Sequence, residues 1–194
     1  MPVNSDKPQN WKKDIVRSVD LYNDWFIKFA PQAYRAARAD ATLAVESALK
    51  LTRNLTDLSL PILKANPSVL PMLRMSTAPP IARDRLIGLA GIPAGLVFSM
   101  EINKRVPKKA SDLDSNLKRI SATILTLCDR DIFTWLDSGS TPKRSEIHRA
   151  ATIVADRLCG AVSDPIIRNA QEKRQLSAIR AWLESRGTSM EERV

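Results

Sequence analysis

His148 is the only histidine in this chain, and Cys128 and Cys159 are its only cysteines. One imidazole and two distant thiols make neither a His/Cys zinc site nor an HExxH metalloprotease helix. His148 is therefore expected to be an exposed or satisfied structural residue. The glycines at 88, 91 and 95 are too widely spaced for a GxGxxG loop, and neither GxxxxGK(S/T) nor GxSxG occurs. The close carboxylate pairs, Asp112 with Asp114 and Asp129 with Asp131, are two residues apart, so on a helix they diverge by about 200° and cannot share a cation. They are expected to be solvated groups near helix ends. No catalytic residue and no metal ligand is assigned.

What remains is positive charge. Thirty Lys and Arg against 21 Asp and Glu leave a net charge of +9, which favours a polyanionic partner because cations near phosphates displace condensed counterions. The densest patch is EINKRVPKKASD, where Lys104, Arg105, Lys108 and Lys109 surround a proline with no acid before Asp112. With Asn103 beside it, and Arg74, Arg83 and Arg85 upstream, these eight residues are the candidate contacts to double-stranded DNA. Asp84 is expected to orient a neighbouring arginine.

The elements that must position them are helices. Aromatics make up 5% of the chain and alternating β-branched runs are absent, so the expected class is all-α, an irregular multi-helix bundle. Residues 75–100, MSTAPPIARDRLIGLAGIPAGLVFSM, read as helix, short turn, helix: Ser76 or Thr77 caps a helix starting at the prolines, Gly91 ends it, and Pro93 opens the next. Over 80–104 this makes a corner like a helix-turn-helix, with Leu86, Ala90, Ile92, Val97 and Met100 locking the two helices together. Ile87 stands where that motif usually has a small residue, and the first half of the second helix is too apolar to read bases.

Upstream, Ile15, Val19, Tyr22, Phe26 and Phe29 step by three and four, predicting a core-facing helix that ends before Pro31. A second helix then carries Tyr34, Ala37, Ala41, Val45 and Ala48 inward. Pro61, Pro67 and Pro71 divide the next segment into short pieces. Downstream, helices are expected from about Leu113 to near Gly139, from Thr141 to Gly160, and from Asp164 to Gly187. Residues 1–10 form a loose arm, 11–187 one helical domain, and 188–194 a polar tail. No apolar run reaches the roughly 18 residues of a membrane span and no signal peptide is visible, so a cytoplasmic protein with buried free thiols is expected.

The segment LKANPSVLPMLRMSTAPPIARDRLIGLAGI resembles the N-terminal region of XamI-type type II restriction endonucleases, and DPIIRNAQEKRQLSAIRAWLESRG is similar to a second block of that family. DIVRSVDLYNDWF and FAPQAYR also fit, extending the likeness from Trp11 to Gly187. The resemblance implies site-specific DNA cleavage in a restriction-modification system. In the family a nuclease part follows the helical region, with strands whose carboxylates and lysine bind Mg²⁺, whereas here the chain stops seven residues after Gly187. The expectation is a truncated or split enzyme: a DNA-contacting portion with no cofactor of its own, partnered by DNA, a separate nuclease fragment or a second copy. The alternative is a non-enzymatic helical DNA-binding or dimerisation module.

Overall fold

The computed structural model describes residues 7–107 and 112–185, and among them the protein is all-α, without a strand. The helices are α1 (Pro8–Leu51), α2 (Leu60–Ala65), α3 (Leu70–Met75), α4 (Arg83–Ala90), α5 (Ala94–Glu101), α6 (Leu113–Leu127), α7 (Trp135–Ser138) and α8 (Arg144–Glu184), with a 3-10 turn at Pro67–Val69. The chain divides into two compact units, one formed by Arg38–Ala161 and the other by Met1–Ala37 together with Val162–Val194.

In the central unit the prolines act as the sequence suggests. Pro61, Pro67 and Pro71 each stand in the first turn of a short helix, where a missing N–H breaks no intrahelical bond. Leu63, Leu70, Leu73, Leu86, Val97, Met100, Leu117, Ile120, Ile124, Phe133 and Val154 are fully buried and form its core. Ala41, Val45 and Ala48 of α1 are buried too, on the face their spacing predicts. After α1, Arg53, Asn54 and Leu55 all have left-handed backbones, with φ of 48°, 58° and 65°. Non-glycine residues rarely adopt this region, and three in succession persist only where the surroundings hold them. Thr52 does so locally: its hydroxyl donates to the Ala48 carbonyl at 2.8 Å and accepts the Leu55 N–H at 3.2 Å. Buried Trp135 adds a long-range tie, its Nε1–H donating to the Asn54 carbonyl at 2.8 Å.

Three expected helix boundaries outside the 80–104 corner are corrected. The helix expected to run to Gly139 stops at Leu127, because Cys128 turns extended and bridges Thr77. The Ala78 N–H then donates to the Leu127 carbonyl at 2.8 Å, and the Asp129 N–H to the Ser76 carbonyl at 2.9 Å. Bonding to a distant segment replaces the helical bonds of this stretch. Pro31 does not end a helix but lies inside α1, flanked by Ala30, Ala33, Ala36 and Ala37, strong helix formers that sustain the turns around its one missing bond. Gly160 and Pro165 lie inside α8, which runs unbroken where two helices were expected; the sequence around them offers no comparable reason.

The helical residues described in the outer unit belong to the first part of α1 and the last part of α8. Trp25 and Phe29 stack with ring centroids 5.1 Å apart, and the Arg174 guanidinium sits 5.8 Å from the centre of the Trp25 ring while donating to the Leu21 carbonyl at 3.0 Å. The face predicted to be core is covered only in part by the described residues: Tyr22 and Phe29 are half-buried, whereas Ile15, Val19 and Phe26 are exposed. Two helices cover one stripe of each other, and apolar residues lie on more than that stripe. Both cysteines are buried and neither is in a disulfide, as expected. No described helix is long and apolar enough to cross a membrane.

Candidate nucleic-acid interface

The helix corner forms with the expected turn but a later start. α4 begins at Arg83, capped by the backbone of Ala82 rather than by Ser76 or Thr77. Those two residues are buried, and their hydroxyls are engaged before α4 begins, Ser76 donating to the Met72 carbonyl at 3.0 Å and Thr77 lying 2.9 Å from the Arg74 carbonyl and 2.7 Å from that of Pro79. The reason is competition: segment 76–78 pairs with the end of α6, so its backbone groups are committed there and not to a first turn of α4. Gly91 ends α4 at φ 58°, the left-handed position that glycine takes without strain, and α5 follows from Ala94. Leu86, Ala90, Ile92, Val97 and Met100 are all buried, as the corner requires, and α4 packs on both α5 and α6.

What holds the corner was not read from the sequence. Glu101, at the last turn of α5, is buried with 3% of its side chain exposed and receives two arginines. Arg74 grips it in bidentate fashion, Nε to Oε1 at 2.6 Å and Nη2 to Oε2 at 3.1 Å, while its Nη1 donates to the Ile81 carbonyl at 2.6 Å. Arg83 adds a bond from Nε to Oε2 at 3.0 Å. Two charge-assisted partners satisfy a carboxylate that burial alone would penalise heavily. The signal was present: Glu101 lies four residues after Val97 and one after Met100, so helical spacing puts it on the buried face. Asp84, expected to orient an arginine, makes no ion pair with a described residue; Glu101 has that role instead.

Two further arginines fasten neighbouring loops. Arg119 donates from Nη1 to the Gly91 carbonyl at 2.7 Å and from Nη2 to the Asn116 amide oxygen, tying the turn of the corner to α6. Arg157 donates to the carbonyls of Met75 and Thr77 at 3.2 and 3.3 Å and pairs with Asp129 Oδ2 at 2.8 Å. Asp129 is thus buried and neutralised, not solvated as expected.

The eight candidate contacts fall into three groups. Arg74 has three guanidinium nitrogens committed inside the protein, and Arg83 is held by Glu101 with 40% of its side chain still exposed. Arg85, Asn103, Lys104 and Arg105 are exposed, and none of the three cations among them pairs with a described carboxylate. Lys108 and Lys109 lie outside the described residues. The Asn103–Arg105 turn is ordered by Ser99, whose hydroxyl donates to the Arg105 carbonyl at 2.9 Å, and by the Arg105 N–H donating to the Ser99 carbonyl at 3.2 Å; Lys104 takes φ 55° within it. Glu101 brings Arg83 to the base of this turn. Arg85, two residues on, points about 200° away around α4, beside a shallow depression lined by Asp84, Gly88 and Leu89. The exposed positions of α5 are Ala94, Gly95 and Phe98, which offer no hydrogen bonds to base edges.

Among the described residues no three His, Cys, Asp or Glu side chains converge as a metal site would need. The buried carboxylates, Glu101 and Asp129, already carry arginine partners, so this donor set does not fit Mg²⁺. Cys128 is no better placed as a nucleophile, because burial pushes its thiol up to about 11 against the opposing pull of Arg130. The arrangement provides a helical corner, tied together by Glu101 and its arginines, that bears an exposed basic turn.

Known proteins share this sequence over most of its length. The family model described as XamI restriction endonuclease matches residues 53–193. The type II restriction enzyme SalI of Streptomyces albus G is 48% identical over 186 residues, which cover 95% of this chain and 59% of that enzyme. The chain thus spans well under two thirds of the length of this relative. No solved structure matches.

Proposed function

Because the chain belongs to the XamI restriction endonuclease family, we propose that it is the DNA-contacting part of a site-specific endonuclease acting in restriction-modification, itself without the catalytic residues. The observation that carries this reading is the basic turn Asn103–Arg105, exposed and set on a corner that Glu101 keeps rigid. Lys104 and Arg105 contact phosphates of double-stranded DNA, joined by Arg83, Arg85 and the neighbouring Lys108 and Lys109, while Arg74 contributes by holding Glu101 in place. Cleavage is assigned to groups that these residues do not supply, since each buried carboxylate is neutralised by arginine; Mg²⁺ belongs with those groups.

Duplex affinity measured against salt tests the reading. Each phosphate that is no longer neutralised removes about 0.9 from the log–log slope, so replacing both Lys104 and Arg105 with alanine should flatten it by about 1.8. An unchanged slope would remove this turn from the interface. Plasmid incubated with the chain and Mg²⁺ should stay intact, and cutting would overturn the assignment of catalysis elsewhere. A second reading, dimerisation, is favoured by the exposed apolar side chains of the outer unit, among them Ile15, Ile27 and Trp182. A concentration-independent monomer mass in light scattering would eliminate it.

A further inference from the structure

The lone histidine lines a basic cleft that shares no residue with the Asn103–Arg105 turn. The end of α1, the left-handed turn after it and the first turns of α8 enclose an open pocket of about 460 Å³, all within the central unit. Its floor is apolar, made by Leu49, Ile147 and Ala151, and its rim carries Lys50, Arg53, Arg144 and His148 with Glu46 as the single acid. Lys50, Arg144 and His148 have no ion pair or side-chain hydrogen bond with a described residue, and Arg53 meets Asp57 only at 3.9 Å with 78% of its side chain exposed. With the imidazole neutral, three cations and one carboxylate leave a charge of +2 over the pocket. Arg144 and His148 are four residues apart, so α8 presents both on one face. Arg53 is carried by a turn whose strained backbone is pinned through Asn54 to buried Trp135, so its guanidinium starts from a fixed place.

Cations that converge on a cavity repel each other, and an anion relieves that repulsion. The pocket is larger than an inorganic phosphate needs, and its apolar floor suits a sugar ring beside the charge. We propose that this pocket binds a phosphate group, and specifically a phosphodiester of the DNA that the Asn103–Arg105 turn also contacts. The choice of DNA as the source rests on the proposed DNA-contacting function; the phosphate chemistry does not. Lys50, Arg53 and Arg144 supply charge, and His148 supplies a ring N–H donor at the pocket edge.

Because His148 is the only histidine, its imidazole gives one set of ring signals and reports on this pocket alone. The tag-free chain is titrated with inorganic phosphate and, separately, with a short duplex whose binding is followed in parallel by fluorescence anisotropy. Both should move the His148 signals. The Lys50→Ala, Arg53→Ala, Arg144→Ala triple variant, with unchanged circular dichroism, should abolish both shifts and lower the salt slope of duplex binding by about 0.9 for each phosphate it no longer neutralises. A shift with duplex but not with phosphate would also support the site, with the phosphodiester as its source. Duplex bound while His148 stays unmoved overturns the pocket and leaves the Asn103–Arg105 interface standing. Phosphate moving His148 without any duplex binding supports a free-phosphate site and overturns the DNA reading instead. Shifts that persist in the triple variant overturn the pocket whatever the duplex does.

Discussion

The central unit and the outer unit have comparable helical character and opposite fates for their apolar residues. In Arg38–Ala161 the large side chains close on each other: Leu63, Leu86, Met100, Ile120 and Phe133 are inaccessible to solvent. In the described part of the outer unit the buried residues are Ala30, Ala37 and Ser163, while Ile15, Ile27, Leu176 and Trp182 are more than half exposed. Apolar residues recur at helical spacing in both, so spacing alone does not decide burial. Burial needs a further layer, and in the central unit the short helices α2 to α5, cut to length by prolines, provide it.

The strongest way to break this comparison is through the buried ion pairs. Arg74→Ala leaves Glu101 buried with one partner and should lower the stability of the central unit by roughly 3–5 kcal/mol in denaturant unfolding. Its counterpart in the outer unit, Arg174→Ala, removes an exposed cation–π contact and one carbonyl bond and should cost about 1 kcal/mol or less. Equal losses would mean the two regions are held together alike.

Cys128 gives an intermediate effect with a defined pH window. Its folded-state thiol is raised to about 11 from the ordinary 9.0, so between those values the native state keeps a proton that the unfolded chain releases. Stability contributed by the neutral thiol is complete below pH about 9 and declines as pH rises to about 11, by on the order of 1–2 kcal/mol. Unfolding curves of the parent and of Cys128→Ala should therefore converge over that range. Parallel curves would show that the thiol is solvated and this part of the core open.

The smallest effect sharpens the outer side of the comparison. Ile27→Asn, at a position 69% exposed, should change stability by less than about 0.5 kcal/mol. A loss above about 2 kcal/mol would reveal that the face is covered in solution.

Much of the central unit is legible in the sequence because its determinants are local. Proline positions fix α2, the 3-10 turn and α3; Gly91 fixes the end of α4; and the spacing of Leu86, Ala90, Ile92, Val97 and Met100 fixes what the corner buries. The misses share a different cause. Cys128 leaves its helix because residues 76–78 offer hydrogen bonds from a remote part of the chain, and no local pattern encodes that competition. Ile15, Val19 and Phe26 do share a face, but sharing a face does not specify a cover. Of the candidate contacts, Asn103, Lys104 and Arg105 could be placed on the surface from charge density alone. Arg74 could not be separated from them until Glu101 was located, because a guanidinium that grips a buried carboxylate and one that faces solvent look alike in sequence.

The tie between Trp135 and the Asn54 carbonyl also gives the molecule an optical label. Of the four tryptophans, Trp135 is the one in the central unit, enclosed and hydrogen-bonded, whereas Trp11, Trp25 and Trp182 belong to the outer unit. An indole in an apolar enclosure emits to the blue of one in water, so a single emission spectrum contains both regions at different wavelengths. Acrylamide should quench the red side first, and the blue side should shift only when the left-handed turn at Asn54 lets go.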